Sequence, residues 1–405
     1  MGNPVIADRV RADMQAASWV REMFERGRRL KARLGEENVH DFSLGNPNAA
    51  PPAAFFDALK AVAAQSTPQN HRYMNNAGFD ESRAAVAAFL AREYRAPMDA
   101  AGVLLTCGAA GAMNVALRAI LNPQDEVVVV APYFPEYRFY IEQAGGRMVV
   151  AESTPEFQVD ARALRAALTP RTRAVIVNSP NNPTGAVYTI EANASLAALL
   201  REVDRPARPL YLICDDIYRR LVFDQSWCPA AAPLYHRSII TSSYSKDLSV
   251  PGERIGYIAL PPVLPERELL FSAMTMLNRT LGFVNAPALQ QRIIARCADA
   301  LGDIGFYRSN RDLLCGALRD MGYELTTPGG AFYAFPRSPI ADDVKFIGIL
   351  EEHNILAVPG IGFGRPGHVR FSFCVARETI ERALDGLSAA LRAARAGAEP
   401  AGARR

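Results

Sequence analysis

Short apolar runs alternate with amphipathic stretches through the first 290 or so residues of the chain. Val127–Val130, Met148–Ala151, Ala174–Asn178, Leu210–Cys214, Ile239–Ser242 and Ile255–Leu260 are four to six residues long, which suits strands better than helices. Helical patterns stand between several of them. That rhythm predicts a largely parallel sheet covered by helices, an architecture that binds ligands at the carboxyl ends of its strands. From about residue 290 helical patterns dominate, leading into Tyr323-Glu-Leu, the turn Thr327-Pro-Gly-Gly330 and Ala331-Phe-Tyr-Ala-Phe335. We read a large domain over residues 45–290 and a smaller α/β domain built from residues 1–44 and 291–392. The tail from Ala393, rich in Ala, Gly and Arg, is expected to fray into disorder. No internal repeat is present.

Composition narrows the function classes without naming one. With 405 residues, 49% hydrophobic and 21% charged, the chain is an ordinary globular protein long enough for two domains. Its 45 basic and 42 acidic residues leave a net charge of +3, too little for an electrostatic case for nucleic-acid binding. No apolar stretch approaches the roughly 18 residues of a membrane span, and no signal-peptide core is evident, so the cytoplasm is the expected location. Six cysteines, at 107, 214, 228, 297, 315 and 374, form no CxxC pair, and five histidines form no i, i+4 pair. Metal and disulfide readings are therefore disfavoured, and reduced thiols are expected.

Chemistry concentrates at the ends of the apolar runs. Lys246 follows the Ile239–Ser242 run, and Arg254 lies eight residues later, at the start of the next one. A desolvated lysine amine forms a Schiff base with a carbonyl, and a planar guanidinium grips phosphate in a bidentate fork. A phosphorylated aldehyde such as pyridoxal phosphate offers both handles. Upstream, Val175-Ile-Val-Asn-Ser-Pro-Asn-Asn-Pro-Thr-Gly185 is a β-branched run ending in turn residues with side-chain amides, and Leu210-Tyr-Leu-Ile-Cys-Asp-Asp-Ile-Tyr218 delivers Asp215 and Asp216 at a strand end. Taken singly, the first reads as a plain strand and turn, and the adjacent carboxylates of the second often as solvated caps, although a strand-end aspartate is also where such sheets place ligand contacts.

Together, the Asn-Asn-Pro-Thr-Gly turn, the Asp-x-x-Tyr strand end, the Ser-x-x-Lys with its Arg at plus eight and the late Arg370-Phe-Ser-Phe segment occur in one order. In this the chain resembles the class I and II pyridoxal-phosphate-dependent aminotransferases, the aspartate aminotransferase superfamily, over roughly residues 41 to 376. The resemblance implies a large domain with a mostly parallel seven-stranded sheet between helices, one strand running antiparallel, plus the smaller domain.

It also implies roles. Lys246 would hold the cofactor as a Schiff base and then shuttle a proton at the substrate Cα. Asp215 would pair with the pyridine nitrogen and keep it protonated. Asn182 and Tyr218 would hydrogen-bond the ring oxygen. The phosphate would rest on Thr106-Cys-Gly-Ala-Ala-Gly-Ala-Met-Asn114, at Gly108, Ala109 and Ala110, with Ser243 and Arg254 completing its shell. Ala109 and Ala110 bring backbone N–H groups alone where many relatives have hydroxyls. Phe134 matches the aromatic stacked on the ring. Tyr73 matches a tyrosine that crosses a homodimer interface to the other subunit's phosphate. Arg370 matches the α-carboxylate anchor, and Gly45 the segment closing over that carboxylate.

The leading expectation is transfer of an α-amino group from an L-amino acid to a 2-oxo acid. A second use of the same residues is β- or γ-elimination, replacement, oxidation or carbon–carbon bond formation. A cofactor-binding regulator is disfavoured by the complete catalytic set, and a dinucleotide-dependent oxidoreductase by the missing G-x-G-x-x-G. Arg279 is a candidate cation for the distal carboxylate of a dicarboxylic donor, and aromatic or aliphatic donors stand equally open.

Overall fold

A computed structural model describes residues 5–15, 19–65 and 67–398. Its strands are β1 (His40–Asp41), β2 (Val103–Thr106), β3 (Glu126–Ala131), β4 (Arg147–Glu152), β5 (Thr172–Asn178), β6 (Tyr211–Asp215), β7 (Ser238–Ser243), β8 (Gly256–Ala259), β9 (Tyr333–Ala334), β10 (Ile355–Leu356), β11 (Val358–Pro359) and β12 (Val369–Ser372). Seven of them form one sheet in the order β2-β8-β7-β6-β5-β3-β4. Only β8 runs against its neighbours, antiparallel to both β2 and β7. β2 was not among the expected strands. It has four residues and runs straight into the small-residue stretch after Thr106, leaving little apolar run to recognise.

The central strands are apolar on both faces because both faces are covered. Val127, Val129, Ala174, Ile176, Tyr211 and Ile213 belong to one core layer with the Gly108–Ile120, Glu136–Gln143 and Arg267–Thr280 helices. Their neighbours Val128, Val130, Val175, Val177, Leu212 and Cys214 face the opposite layer, against the Ala53–Ala64, Asp80–Tyr94 and Ile190–Val203 helices. Such two-sided burial contributes about 25 cal/mol per Å² of apolar surface removed from water.

A second core gathers Phe42, Tyr307, Leu314, Phe332, Phe346, Leu350, Phe371, Ile380 and Leu387. It holds the antiparallel sheet β11-β12-β9 and the parallel pair β1-β10. The segment around residue 40 thus packs with the C-terminal part of the chain. Two details differ from the expected division. The Ala288–Cys297 helix still packs in the large core through Ile293, Ile294 and Cys297, because a helical period does not tell which of two cores its apolar stripe faces. Residues 393–398 continue the Arg377–Ala398 helix, and Ala394 is buried in the second core; the rest of the expected tail, 399–405, lies outside the described residues.

All six cysteines are free. No described helix is long and apolar enough to cross a membrane, and the described residues contain no His/Cys/Asp/Glu group arranged to hold a metal ion.

Candidate active site

The carboxyl ends of β5, β6 and β7 lie side by side, with Asn178 paired to Asp215 and Asp215 to Thr241. Beside them, β2 leads into the Gly108–Ile120 helix, whose N-terminus opens on the same edge. A cavity of about 260 Å³ forms there, lined by Gly45, Ala109, Ala110, Met113, Phe134, Tyr137, Tyr140, Asn178, Asn182, Asp215, Ile217, Tyr218, Ser243, Ser245, Lys246, Pro251, Arg254, Tyr333 and Arg370.

Side-chain alternation at the end of β6 separates Asp215, its last residue, from the adjacent Asp216. Asp215 faces the cavity, where its Oδ2 accepts a 2.5 Å hydrogen bond from the Tyr137 hydroxyl. Asp216 points into the opposite layer, where it accepts from Tyr94 and lies near Arg219. The other oxygen of Asp215, Oδ1, is buried without a hydrogen-bond partner. Burial raises the Asp215 carboxyl to about 7, opposed by the Tyr137 hydroxyl, reinforced by Asp216 and opposed again, more weakly, by the Ile217 backbone N–H. A buried acceptor left without a donor is costly, so this oxygen could take a donor or cation from a group bound in the cavity.

Lys246 leaves the turn after β7, and its Nζ donates to the Gly45 carbonyl at 2.6 Å. Desolvation pulls its amine down to about 8, with Cys374 opposing and the Arg370 and Arg254 charges assisting. An amine that loses its proton this easily is a usable nucleophile and base near neutral pH.

Asn178 fixes the floor between them. Its amide donates to the Asp215 carbonyl at 2.7 Å while its oxygen accepts from the Asn182 N–H at 2.8 Å. Asn181 is absorbed in closing its own turn, accepting from the Thr184 N–H and hydroxyl. Asn182 instead presents its oxygen to Arg370 at 3.1 Å. Arg370 is 2% exposed, also donates to the Ser43 carbonyl, and keeps its Nε unpartnered. Burial pulls its guanidinium below the ordinary arginine value.

At the other end of the cavity, Arg254 adopts a left-handed backbone (φ 54°, ψ 45°), uncommon for a residue with a Cβ. Its guanidinium lies against Gly108, where an added Cβ would stand 2.9 Å from Nη2. Gly108 itself needs φ +73°, and a Cβ on Gly256 would come within 2.6 Å of the Gly108 carbonyl carbon. These two glycines let the helix start, β8 and the arginine converge. The result is a cradle of helix N–H groups at Ala109 and Ala110, the Ser243 hydroxyl and a guanidinium, suited to an anion such as phosphate.

Of the residues singled out from sequence, Lys246, Asp215, Tyr218, Asn182, Ser243, Arg254, Ala109, Ala110, Phe134, Arg370 and Gly45 meet in this cavity, and Gly108 borders it through Arg254. Tyr73 does not: it is 84% exposed. Arg279 is exposed at the end of the Arg267–Thr280 helix and is not among the lining residues. Sequence reasoning gave no role to Tyr137, Tyr333 or Asn178. Tyr137 stands three residues after Phe134, with the two rings edge to face at 5.6 Å: Phe134 lies in the loop just before the Glu136–Gln143 helix and Tyr137 in its first turn. Nothing local marks Tyr333, which reaches the cavity from the second core.

The aminotransferase class I and II family model matches residues 37–387. The chain belongs to this family. It is similar to the aspartate/prephenate aminotransferase of Thermus thermophilus, at 34% identity over 88% of this chain and 92% of that protein. It is also similar to a probable N-acetyl-LL-diaminopimelate aminotransferase of Bacillus subtilis, at 30% identity over 87% of this chain and 88% of that protein. Among solved structures, an amino transferase from Eubacterium rectale superposes with a TM-score of 0.91 at 37% identity, covering 96% of this chain and 99% of that one. The aspartate aminotransferase of Thermus thermophilus with maleate gives 0.84 at 28% identity, covering 96% and 100%. The expected fold class and aminotransferase activity therefore hold: the protein is a transaminase whose cavity sits at the strand ends of a mostly parallel sheet.

Proposed function

We propose that this aminotransferase uses pyridoxal 5′-phosphate held at Lys246 to move an α-amino group from an L-amino acid to a 2-oxo acid. The observation that carries the reading is the buried, unpartnered Oδ1 of Asp215 in the same cavity as the pKa-lowered amine of Lys246. A protonated pyridine nitrogen satisfies the first and an aldehyde the second. Bound there, the cofactor supplies an electron-withdrawing ring that makes loss of the substrate Cα proton feasible.

The protein groups then divide the work. Asp215 holds the ring nitrogen in its charged form, and the incoming cation draws the carboxyl back down from about 7. Tyr218, and the Asn182 amide left over from its contact with Arg370, donate to the ring oxygen. Arg254, Ser243 and the N–H groups from Gly108 to Ala110 hold the phosphate, while Phe134 covers the ring face. Arg370 grips the substrate carboxylate and so orients the Cα–H bond toward Lys246, which takes and returns that proton. Incubation with L-amino acids and 2-oxo acids tests the reading: amino-group exchange is expected. Elimination or replacement products without exchange would instead assign the cavity to another reaction of the same cofactor.

Tyr73 and the exposed apolar side chains Leu269 and Met276 support a homodimer in which Tyr73 completes the phosphate shell of the other protomer. The mass in solution is expected to be that of a dimer, with Tyr73→Phe retaining it but weakening cofactor affinity ~10-fold. A fully active monomer would contradict this.

The two Thermus thermophilus relatives are aspartate aminotransferases, one of them also acting on prephenate, and a dicarboxylate needs a second cation. The cations lining the cavity are Lys246, Arg254 and Arg370, each already assigned. Because Arg279 lies outside that lining, Arg279→Ala is expected to change turnover of aspartate and glutamate by no more than about twofold. A selective loss for dicarboxylates would make it the distal anchor, reached from a neighbouring protomer.

A further inference from the structure

Three parts of the site meet on Tyr333, a residue outside all four sequence motifs. Its hydroxyl lies 2.8 Å from that of Tyr218. The Arg370 guanidinium stands over its ring, 4.7 Å from the centroid. Gly45, whose carbonyl accepts from Lys246, approaches so closely that a Cβ there would overlap the Tyr333 hydroxyl. The ring has little freedom to be elsewhere: Tyr333 is 2% exposed, and its backbone pairs with Ser372 on β12, two residues from Arg370.

The direction of the hydroxyl contact follows from the work asked of Tyr218. Two hydroxyls at hydrogen-bond distance share one proton, so one donates and the other keeps its proton free. If Tyr218 is to donate into the cavity, its oxygen must accept here and Tyr333 must donate. An O–H whose oxygen also accepts a hydrogen bond is the stronger donor. The charged and titratable groups facing the Tyr333 phenol are Arg370, Cys374 and Tyr218, and burial pushes it up to about 12. It therefore keeps its proton over the whole working range.

We propose that Tyr333 is a positioning residue: its hydroxyl donates to Tyr218 and turns the Tyr218 proton toward the cofactor oxygen, while its ring holds Arg370 in place for the substrate carboxylate. The proposal rests on the cofactor reading given above. The two halves are separable by mutation, since Tyr333→Phe removes the hydroxyl and keeps the ring, and Tyr333→Leu removes both.

The experiment is a pH titration of the visible absorbance of the cofactor-loaded enzyme, with KM and kcat for one amino donor, in the wild type, Tyr333→Phe, Tyr333→Leu, Tyr218→Phe and the Tyr218→Phe/Tyr333→Phe double variant. A weaker donor leaves the ring oxygen's anion less stabilised, so Tyr218→Phe moves the midpoint up. Tyr333→Phe is expected to move it the same way by less, roughly half a unit, with KM within about twofold of wild type. In the double variant Tyr333→Phe adds no further shift, because its effect passes through Tyr218. Tyr333→Leu adds a rise in KM of ~10-fold from the lost contact with Arg370. A wild-type midpoint in Tyr333→Phe, or an equal shift with and without the Tyr218 hydroxyl, overturns the proposal. If Tyr333→Leu fails to fold, the cycle between the two phenylalanine variants decides it. Absence of a cofactor band from the wild type would strike the cofactor reading instead.

Discussion

Lys246→Ala is expected to lower amino transfer by ~10⁴-fold or more, since one side chain serves both as cofactor tether and as the base at the substrate Cα. Fold stability should change little, because Nζ makes a single hydrogen bond, to Gly45, and burying the charged amine is unfavourable. The wild-type amine carries a pH signature. Its pKa is lowered to about 8, so the reactive neutral form accumulates as pH rises through 8. The rate at which cofactor-free enzyme captures pyridoxal phosphate is expected to climb across that window and level off above it. A flat capture rate between pH 6 and 9, or a Lys246→Ala variant that retains turnover, would remove the lysine from its assigned place.

The second large effect belongs to Asp215→Asn. This substitution keeps the shape of the side chain and an oxygen for the Tyr137 hydroxyl while removing the charge meant for the ring nitrogen. A fall in kcat of ~10³-fold is expected. The stability effect has the opposite sign. The carboxyl has a folded value of about 7 against an unfolded value near 4. Between these values the folded state keeps a proton that the unfolded state has lost, so the cofactor-free wild type loses stability as pH rises from about 4 through 7. At pH 8 that loss is complete, and asparagine does not suffer it. Cofactor-free Asp215→Asn is therefore expected to melt a few degrees above cofactor-free wild type at pH 8, with the gap shrinking as pH falls toward 5. An equal Tm at both pH values would show that Asp215 is not held ionised against its surroundings.

Much of this was legible in the sequence because strands buried on both faces leave unbroken apolar runs, and polar residues at their carboxyl ends then stand out. Asp215, Asn182 and Lys246 were found that way. β2 was not, since its four residues merge with the loop that follows. Nor does pattern show that the Ala288–Cys297 helix packs in the large core, because its helical stripe has the same period whichever core it faces. Tyr137 was visible as a residue but not as the partner of Asp215. Tyr333 carried no local signal, since its meaning lies in contacts with Tyr218, Arg370 and Gly45, drawn from three distant stretches of chain. Pattern located the groups at the strand ends and in the motifs; Tyr137, Asn178 and Tyr333, which aim them, required the fold.

The most direct measurement is reduction of the cofactor-loaded protein with borohydride, followed by peptide mass spectrometry. The mass of a reduced pyridoxal-phosphate adduct is expected on the peptide containing Lys246, at one adduct per chain. An adduct on a different lysine, or none at saturating cofactor, would contradict the assignment of this cavity.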